Sequence, residues 1–123
     1  MTANIKLVFE DGEDIFSSLK EFIKEQNIEY ALITQGSGAI KDFELVVSAK
    51  RGSLEKISDK GRFEVNALSG KIESRKSDYI VSINALVSSS GFTPLTGSLI
   101  KAKVCGALEL NLRRLDQKKM IQA

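Results

Sequence analysis

Hydrophobic and polar residues alternate along much of the chain, which is the pattern of β-strands that bury one face. The alternation, or a short buried apolar run in its place, occurs at residues 5–9, 30–34, 43–49, 63–67, 79–87 and 100–112. Polar turn residues separate these segments, and short connections between consecutive strands favour antiparallel pairing. The pattern therefore predicts a mostly antiparallel sheet.

The faces of these strands are unequally apolar. One face of the last strand carries Ile100, Ala102, Val104, Gly106, Leu108, Leu110 and Leu112. Residues 30–34 and 79–87 instead have apolar side chains on both faces. Because a single helix does not cover such a sheet, we expect a subunit interface to cover the remainder.

One segment has helical periodicity. Ile15, Leu19 and Ile23 recur at a spacing of four residues, and Asp11 is a candidate N-cap before them. These residues predict one main amphipathic helix over about residues 12–27. The fold class is therefore α+β, with a central, mostly antiparallel β-sheet packed on that helix.

Gly36 and Gly38 lie between the second and third predicted strands. A phosphate-binding loop would need a helix directly after its glycines, whereas strand alternation follows here. The two glycines therefore indicate a tight turn, a bulge or a close approach of two backbones.

The length of 123 residues fits a single domain, and we expect one over residues 1–123 with residues 114–123 as a loosely held basic tail. The start of the chain lacks the pattern of a signal peptide, and no apolar run approaches the roughly 20 residues of a membrane span. The single cysteine, Cys105, lies among apolar residues, which is typical of a small buried side chain. We therefore expect a cytoplasmic protein without a membrane partner.

The chain has no histidine, which excludes Ser-His-Asp and Cys-His nucleophile systems and histidine-ligated zinc. Glu64 and Glu109 lie on predicted strands, but no nucleophile or cofactor motif accompanies them. We therefore do not expect an enzyme.

Charge is unevenly distributed along the chain. Residues 1–48 hold 4 basic and 9 acidic side chains, whereas residues 99–123 hold 6 and 2. The later part would suit an acidic partner such as DNA, and its candidate contacts are Lys101, Lys103, Arg113, Arg114, Lys118 and Lys119. Scattered basic residues on solvated strands also need no ligand, so this alternative stays open.

Short motifs occur in a characteristic order. They are Gly12-Glu13-Asp14, Gly36-Ser37-Gly38-Ala39-Ile40, Gly61-Arg62-Phe63-Glu64 followed by Leu68-Ser69-Gly70, and Gly97-Ser98-Leu99. In this order they resemble the PPC domain, which is conserved between plants and prokaryotes and occurs in plant AT-hook nuclear-localised proteins. The third motif is the most specific, although Val65 and Asn66 depart from the family's Ile-Leu. The resemblance covers residues 4 to 113.

The resemblance implies a homotrimer associated with DNA, or with a DNA-bound regulator of transcription. In plant members a separate AT-hook contacts DNA and the PPC domain mainly assembles and recruits partners. This chain has no such hook, and its only proline is Pro94. The resemblance assigns an assembly role to the motif residues Gly36, Gly38, Gly61, Arg62, Phe63, Glu64, Leu68, Ser69, Gly70 and Gly97.

Many prokaryotic relatives carry a metal site made by a His-x-His and a Gly-Gly-His-Leu. The matching positions here are Ser82, Asn84 and Ser98. Neutral hydroxyl and amide oxygens do not replace imidazole on zinc, so we expect no metal and no cofactor. A polar recess formed by Ser37, Ser82, Asn84, Ser98 and Glu109 is the alternative function, a small-ligand site in the trimer. A solvated sheet face or a polar subunit interface would explain the same residues.

Overall fold

The fold is a strand-dominated α+β arrangement with one α-helix in the part of the chain that is described, which comprises residues 2–91 and 93–115 of a computed structural model. The elements in order are β1 (Thr2–Glu10), α1 (Ile15–Glu25), β2 (Tyr30–Ser48), a 3-10 turn (Lys50–Gly52), β3 (Leu54–Asp59), β4 (Phe63–Arg75), β5 (Asp78–Ser88) and β6 (Leu95–Leu115). Within the described ranges, no helix has the length and apolar character that a membrane span needs.

The two longest strands, β2 and β6, form a central antiparallel pair. On the other edge of β2, β4 pairs with its first part and β3 with its last part. On the other edge of β6, β5 pairs near the start and β1 near the end. Since β4 also pairs with β5, strands β2, β4, β5 and β6 close into a ring. The antiparallel sheet expected from the sequence is confirmed.

The apolar core lies between α1 and the inner face of this curved sheet. Ile15, Leu19 and Ile23 of α1 are fully buried there. Phe43 of β2 and Phe63 of β4 pack edge to face, with ring centroids 4.9 Å apart and an angle of 71° between the rings. None of the polar or charged side chains in the described ranges is buried, so the core rests on apolar packing.

The helix begins later than the sequence predicts. The side chain of Asp14 accepts a hydrogen bond of 3.0 Å from the backbone N–H of Ser17, so Asp14 is the N-cap and the helix starts at Ile15. The prediction of Asp11 as the cap is therefore wrong. Its carboxylate instead accepts hydrogen bonds from the Gly106 N–H at 2.8 Å and from the Lys41 ammonium at 3.0 Å.

The predicted strands at residues 30–34 and 43–49 are parts of a single strand, β2. Gly36 and Gly38 lie inside it, and shifts of register against β6 occur on both sides of them. Gly38 has a φ of +134°, and a Cβ there would collide with the carbonyl oxygen of Ala107. Close approach of two backbones therefore explains this glycine.

The alternation of the last strand slips near its start. Ile100, which the periodicity places on the buried face, is 49% exposed, and Leu99 is 4% exposed instead. The cause is a bulge in β6: the consecutive residues Glu44 and Leu45 of β2 face Lys101 and Leu99, so Ile100 is the extra residue between them. Residues 114 and 115, assigned to a tail by the sequence, pair with β1, and residues 116–123 lie outside the described residues.

Candidate functional site

A slit opens between β2 and β4 on the outer side of the sheet. The two strands pair at Ile33 with Gly70 and again at Gly38 with Val65, but residues 34–37 and 66–69 do not pair with each other. These residues line a cavity of about 430 Å³. Cavities of this volume accommodate small ligands. The unpaired segments of β2 and β4 therefore face a cavity within the sheet.

Irregular pairing on both sides produces the slit. A bulge in β4 between Val65 and Ala67 shifts its register against β5, and β2 shifts against β6 after Ile33. Leu68 is buried beneath the slit, and its Cβ lies 2.9 Å from where a Cβ on Gly36 would be. Gly36 therefore leaves the space that this leucine side chain fills.

Amide side chains from three strands line the cavity. They are Gln35 of β2, Asn66 of β4 and Asn84 of β5. The Ser88 hydroxyl donates to Asn66 Oδ1 at 2.6 Å, and the Ser98 hydroxyl donates to Asn84 Oδ1 at 3.3 Å. Both asparagine oxygens are therefore engaged by a neighbouring strand residue.

The side-chain oxygen of the third amide, on Gln35, also accepts a hydrogen bond from a neighbouring strand. Asn111 of β6 donates from Nδ2 to Gln35 Oε1 at 3.4 Å. The backbone carbonyl of Asn111 also accepts from the Thr34 hydroxyl at 3.2 Å. Asn111 thus fixes two side chains at the β2 rim of the slit.

A second hollow of about 440 Å³ adjoins the slit and shares Thr34, Ser69 and Asn84 with it. Ser82 and Lys71 lie at its far end. Lys71 is 3.1 Å from Glu73, and its hydrogen bond and charge hold the pKa of that carboxyl below its ordinary value of 4.5. Among the residues that line the two cavities, Lys71 is the one with a positive charge.

Four of the five recess residues predicted from the sequence come together. Ser37 and Asn84 line the slit, Ser82 lines the adjoining hollow, and Ser98 contacts Asn84. Glu109 is opposite Ser37 in the register but lines neither cavity, and its carboxylate lies 3.0 Å from the Lys6 ammonium. That ion pair directs Glu109 toward β1.

Sequence reasoning missed Gln35, Asn66 and Thr96, which also line the slit. The departure of Asn66 from the family's apolar residue was a usable signal, because a polar residue there fits a solvent-facing cavity. The local sequence gives no sign that β2 and β4 are unpaired at the slit, because the gap depends on the register between strands that are distant in the sequence.

Two glycines of the family motifs lie where neighbouring strands approach closely. A Cβ on Gly70 would collide with the Ser82 carbonyl oxygen, and one on Gly97 would collide with the Val46 carbonyl oxygen. The Gly61 N–H donates to the Asp59 carboxylate at 2.7 Å. The next two residues of that motif lie on opposite sides of the sheet: Phe63 is buried, whereas Arg62 lies 3.5 Å from the exposed carboxylate of Glu64.

The basic residues proposed to contact DNA lie at two ends of β6. Lys101 is 3.7 Å from Glu44, and Arg114 donates to the Asn27 carbonyl at 3.2 Å. Ten residues separate Lys103 from Arg113, which corresponds to roughly 30 Å along a strand. The four residues therefore form two separate pairs along β6, and Lys118 and Lys119 lie outside the described residues.

Comparison with known proteins identifies a family. The model of the Plants and Prokaryotes Conserved (PCC) domain, the PPC domain named above, matches residues 3–116. No curated protein matches the chain.

Solved structures share the fold. A plant- and prokaryote-conserved (PPC) protein from Pyrococcus horikoshii is 22% identical with a TM-score of 0.80, over 94% of this chain and 82% of that one. A metal-containing protein from Archaeoglobus fulgidus is 23% identical with a TM-score of 0.80, over 93% and 80%. A "putative dna binding protein" from Bacteroides thetaiotaomicron is 24% identical with a TM-score of 0.79, over 92% and 79%. At these identities the similarity establishes the fold.

The residues of this chain do not fit a zinc ion. Ser82, Asn84 and Ser98 offer neutral oxygens, and the hydroxyl of Ser98 is already bonded to Asn84. In the described part of the chain, no three Asp, Glu, His or Cys side chains cluster as metal ligands. The recess therefore presents neutral hydrogen-bonding groups where a zinc site would need imidazole or thiolate ligands.

Proposed function

This chain belongs to the Plants and Prokaryotes Conserved (PCC) domain family, and we propose that it is a homotrimeric assembly module that catalyses no reaction. It serves a DNA-associated or transcription-regulatory complex in the cytoplasm. The fold and the family membership support this proposal, as does the lack of histidine-based catalytic chemistry. The resemblance to the PPC domain implies that the assembly is a trimer.

The observation that carries the proposal is a set of three apolar side chains on the outer side of the sheet, which we call the assembly surface: Tyr30, Leu32 and Ile80. Ala31 and Ile33 are buried in the core, so their neighbours Tyr30 and Leu32 point outward. In the register, Glu73 of β4 lies between Tyr30 and Ile80, and Lys71 lies beside Leu32, so the ion pair of Lys71 with Glu73 lies among these apolar side chains. Ile80 is 46% exposed. A second copy that covers this surface removes apolar area from water.

Substitution of the assembly surface tests this proposal. We expect Ile80→Lys and Leu32→Lys to shift the protein to monomers in sedimentation velocity, because each replaces an apolar contact of the proposed interface by a charge that would have to be buried. Thr93→Lys is the matched control, since Thr93 is exposed in the β5–β6 connection. Circular dichroism establishes that each variant is folded. Folded variants that sediment like the wild type would refute this interface.

For the DNA-associated role, we propose that a partner of the module supplies most of the DNA contact. The separation of Lys103 from Arg113 and the contacts of Lys101 and Arg114 favour this arrangement. Fluorescence anisotropy with duplex DNA over a salt series tests it. We expect weak binding with a shallow salt dependence, because few phosphates are neutralised. Tight binding with a steep salt dependence would establish direct DNA binding.

The slit favours a second candidate function, the binding of a small ligand. Backbone N–H and C=O groups inside a sheet are normally paired, and residues 34–37 and 66–69 do not pair across the slit. A thermal-shift screen of metabolites and nucleotides tests this function. A rise in melting temperature that Asn84→Leu abolishes would support it, and a flat screen would contradict it.

A further inference from the structure

We propose that the slit between β2 and β4 selects small organic carboxylates, which it binds through the amide nitrogens of Gln35, Asn66 and Asn84. This inference rests on the second proposed function, the binding of a small ligand, and adds the chemical class of that ligand.

The first step concerns the direction of the three amides. Each side-chain oxygen already accepts a hydrogen bond, from Asn111 for Gln35, from Ser88 for Asn66 and from Ser98 for Asn84. None of the three amide nitrogens meets an acceptor within residues 2–91 and 93–115. Each –NH₂ group carries two donors and no acceptor. The slit therefore offers donors from three strands to whatever enters it.

Charge around the slit favours an anion over a cation. Neither the slit nor the adjoining hollow is lined by an Asp or Glu side chain, and Lys71 lines the hollow. The carboxylates near the cavities form ion pairs, Glu109 with Lys6, Glu73 with Lys71 and Arg75, and Glu64 with Arg62. Hydrogen bonds to an ionised acceptor are stronger than those between neutral groups. A carboxylate oxygen thus gains more from these donors than a neutral carbonyl does.

Size and shape favour an organic molecule. The slit has a volume of about 430 Å³, and apolar side chains of Val65, Leu68 and Leu86 line it beside the amides. A carboxylate with a short hydrocarbon part would place its oxygens on the amide nitrogens and its carbon atoms against these residues. Inorganic phosphate offers acceptor oxygens but no apolar part.

The experiment is an ¹⁵N HSQC titration of the full-length protein that follows the side-chain –NH₂ signals. The probes are succinate, its neutral diamide, inorganic phosphate and putrescine. We expect succinate to shift the signals of Gln35, Asn66 and Asn84 in a saturable manner, and the diamide and putrescine to leave them unchanged. Phosphate that binds as tightly as succinate would show a site for any oxyanion and overturn the assignment to organic carboxylates.

Isosteric variants test the donors themselves. Asn84→Asp and Gln35→Glu replace an –NH₂ group by a carboxylate oxygen, and we expect each to raise the Kd for succinate by about tenfold or more, because a donor is lost and like charges meet. Asn4→Asp is the matched control, since Asn4 is an exposed residue of β1 that lines neither cavity. An equal loss of affinity in all three variants would indicate only a long-range charge effect and overturn the inference.

The outcomes distinguish this inference from the function on which it rests. If the diamide binds and succinate does not, the slit is a ligand site of another class and only the carboxylate inference fails. If no compound of this set or of the wider screen shifts these signals, the ligand-binding function fails as well.

Discussion

Gly61 and Gly70 belong to the same sequence motif but meet different constraints. A Cβ on Gly70 would collide with the Ser82 carbonyl oxygen, a backbone atom of β5 that cannot rotate away. A Cβ on Gly61 would approach only the Asp59 carboxylate, at 3.1 Å, and a small shift of that side chain relieves the contact while its hydrogen bond from the Gly61 N–H is kept. Close strand packing therefore requires a glycine at position 70, whereas the turn at position 61 has room for a larger residue.

This difference predicts the effect of two alanine substitutions. We expect Gly70→Ala to lower the free energy of unfolding by about 1–3 kcal/mol, because the β4–β5 pair must move apart. Gly61→Ala should change it by less than about 0.5 kcal/mol. Urea denaturation followed by circular dichroism measures both. Equal stabilities of the two variants would show that the close approach at Gly70 is not required.

Asp11 has a structural role at the junction of β1, β2 and β6. The Gly106 N–H, followed by the hydrogen bond and charge of Lys41, holds the pKa of Asp11 below its ordinary value of 3.8. A lowered pKa in the folded state means that the carboxylate contributes stability above the unfolded pKa, and that this contribution is lost as pH falls through the folded pKa.

The stability of Asp11→Asn should therefore depend on pH. We expect this variant to unfold at a lower urea concentration than the wild type from about pH 7 to 5, and the difference to shrink below about pH 4 as Asp11 is protonated. Asp78→Asn is the control, because the Asp78 side chain is 75% exposed and 4.0 Å from Lys20. A gap between wild type and Asp11→Asn that is the same at pH 7 and pH 3 would contradict the assignment.

Among the secondary-structure elements, those with a local sequence pattern are predicted well, and those that depend on pairing between distant segments are not. The helical spacing of Ile15, Leu19 and Ile23 is local, and it correctly located α1. The start of α1 was misplaced because Asp11 and Asp14 both have the chemistry of a cap. β3 was missed because its residues are mostly exposed, with Leu54 at 71%, and so show little alternation of burial.

The cap of α1 gives a prediction at this scale. We expect Asp14→Ala to reduce the free energy of unfolding by about 1 kcal/mol, because the Ser17 N–H loses its acceptor at the helix start. Asp14→Asn keeps an acceptor oxygen and should retain most of the stability. Chemical denaturation compares the two variants. A similar loss of stability in both would attribute the effect to the charge of Asp14 and not to capping.

For the whole molecule, the sequence predicted the sheet and its family but not the slit. The resemblance to the PPC domain directed attention to Ser82, Asn84 and Ser98, which match the metal-site positions of many prokaryotic relatives, and the structure places Ser98 in contact with Asn84. The divergence of β2 from β4 depends on register shifts against β5 and β6, which no single segment encodes. The slip that exposes Ile100 has the same origin.

The central claim is that this domain assembles with itself through the outer face of its sheet. The apolar side chains of the assembly surface motivate the claim, and the resemblance to the PPC domain supplies the number of copies. Light scattering coupled to size-exclusion chromatography at micromolar concentration tests it most directly. We predict a mass of three times the 13.5 kDa of one chain. A mass of 13.5 kDa, that of a monomer, would contradict the account.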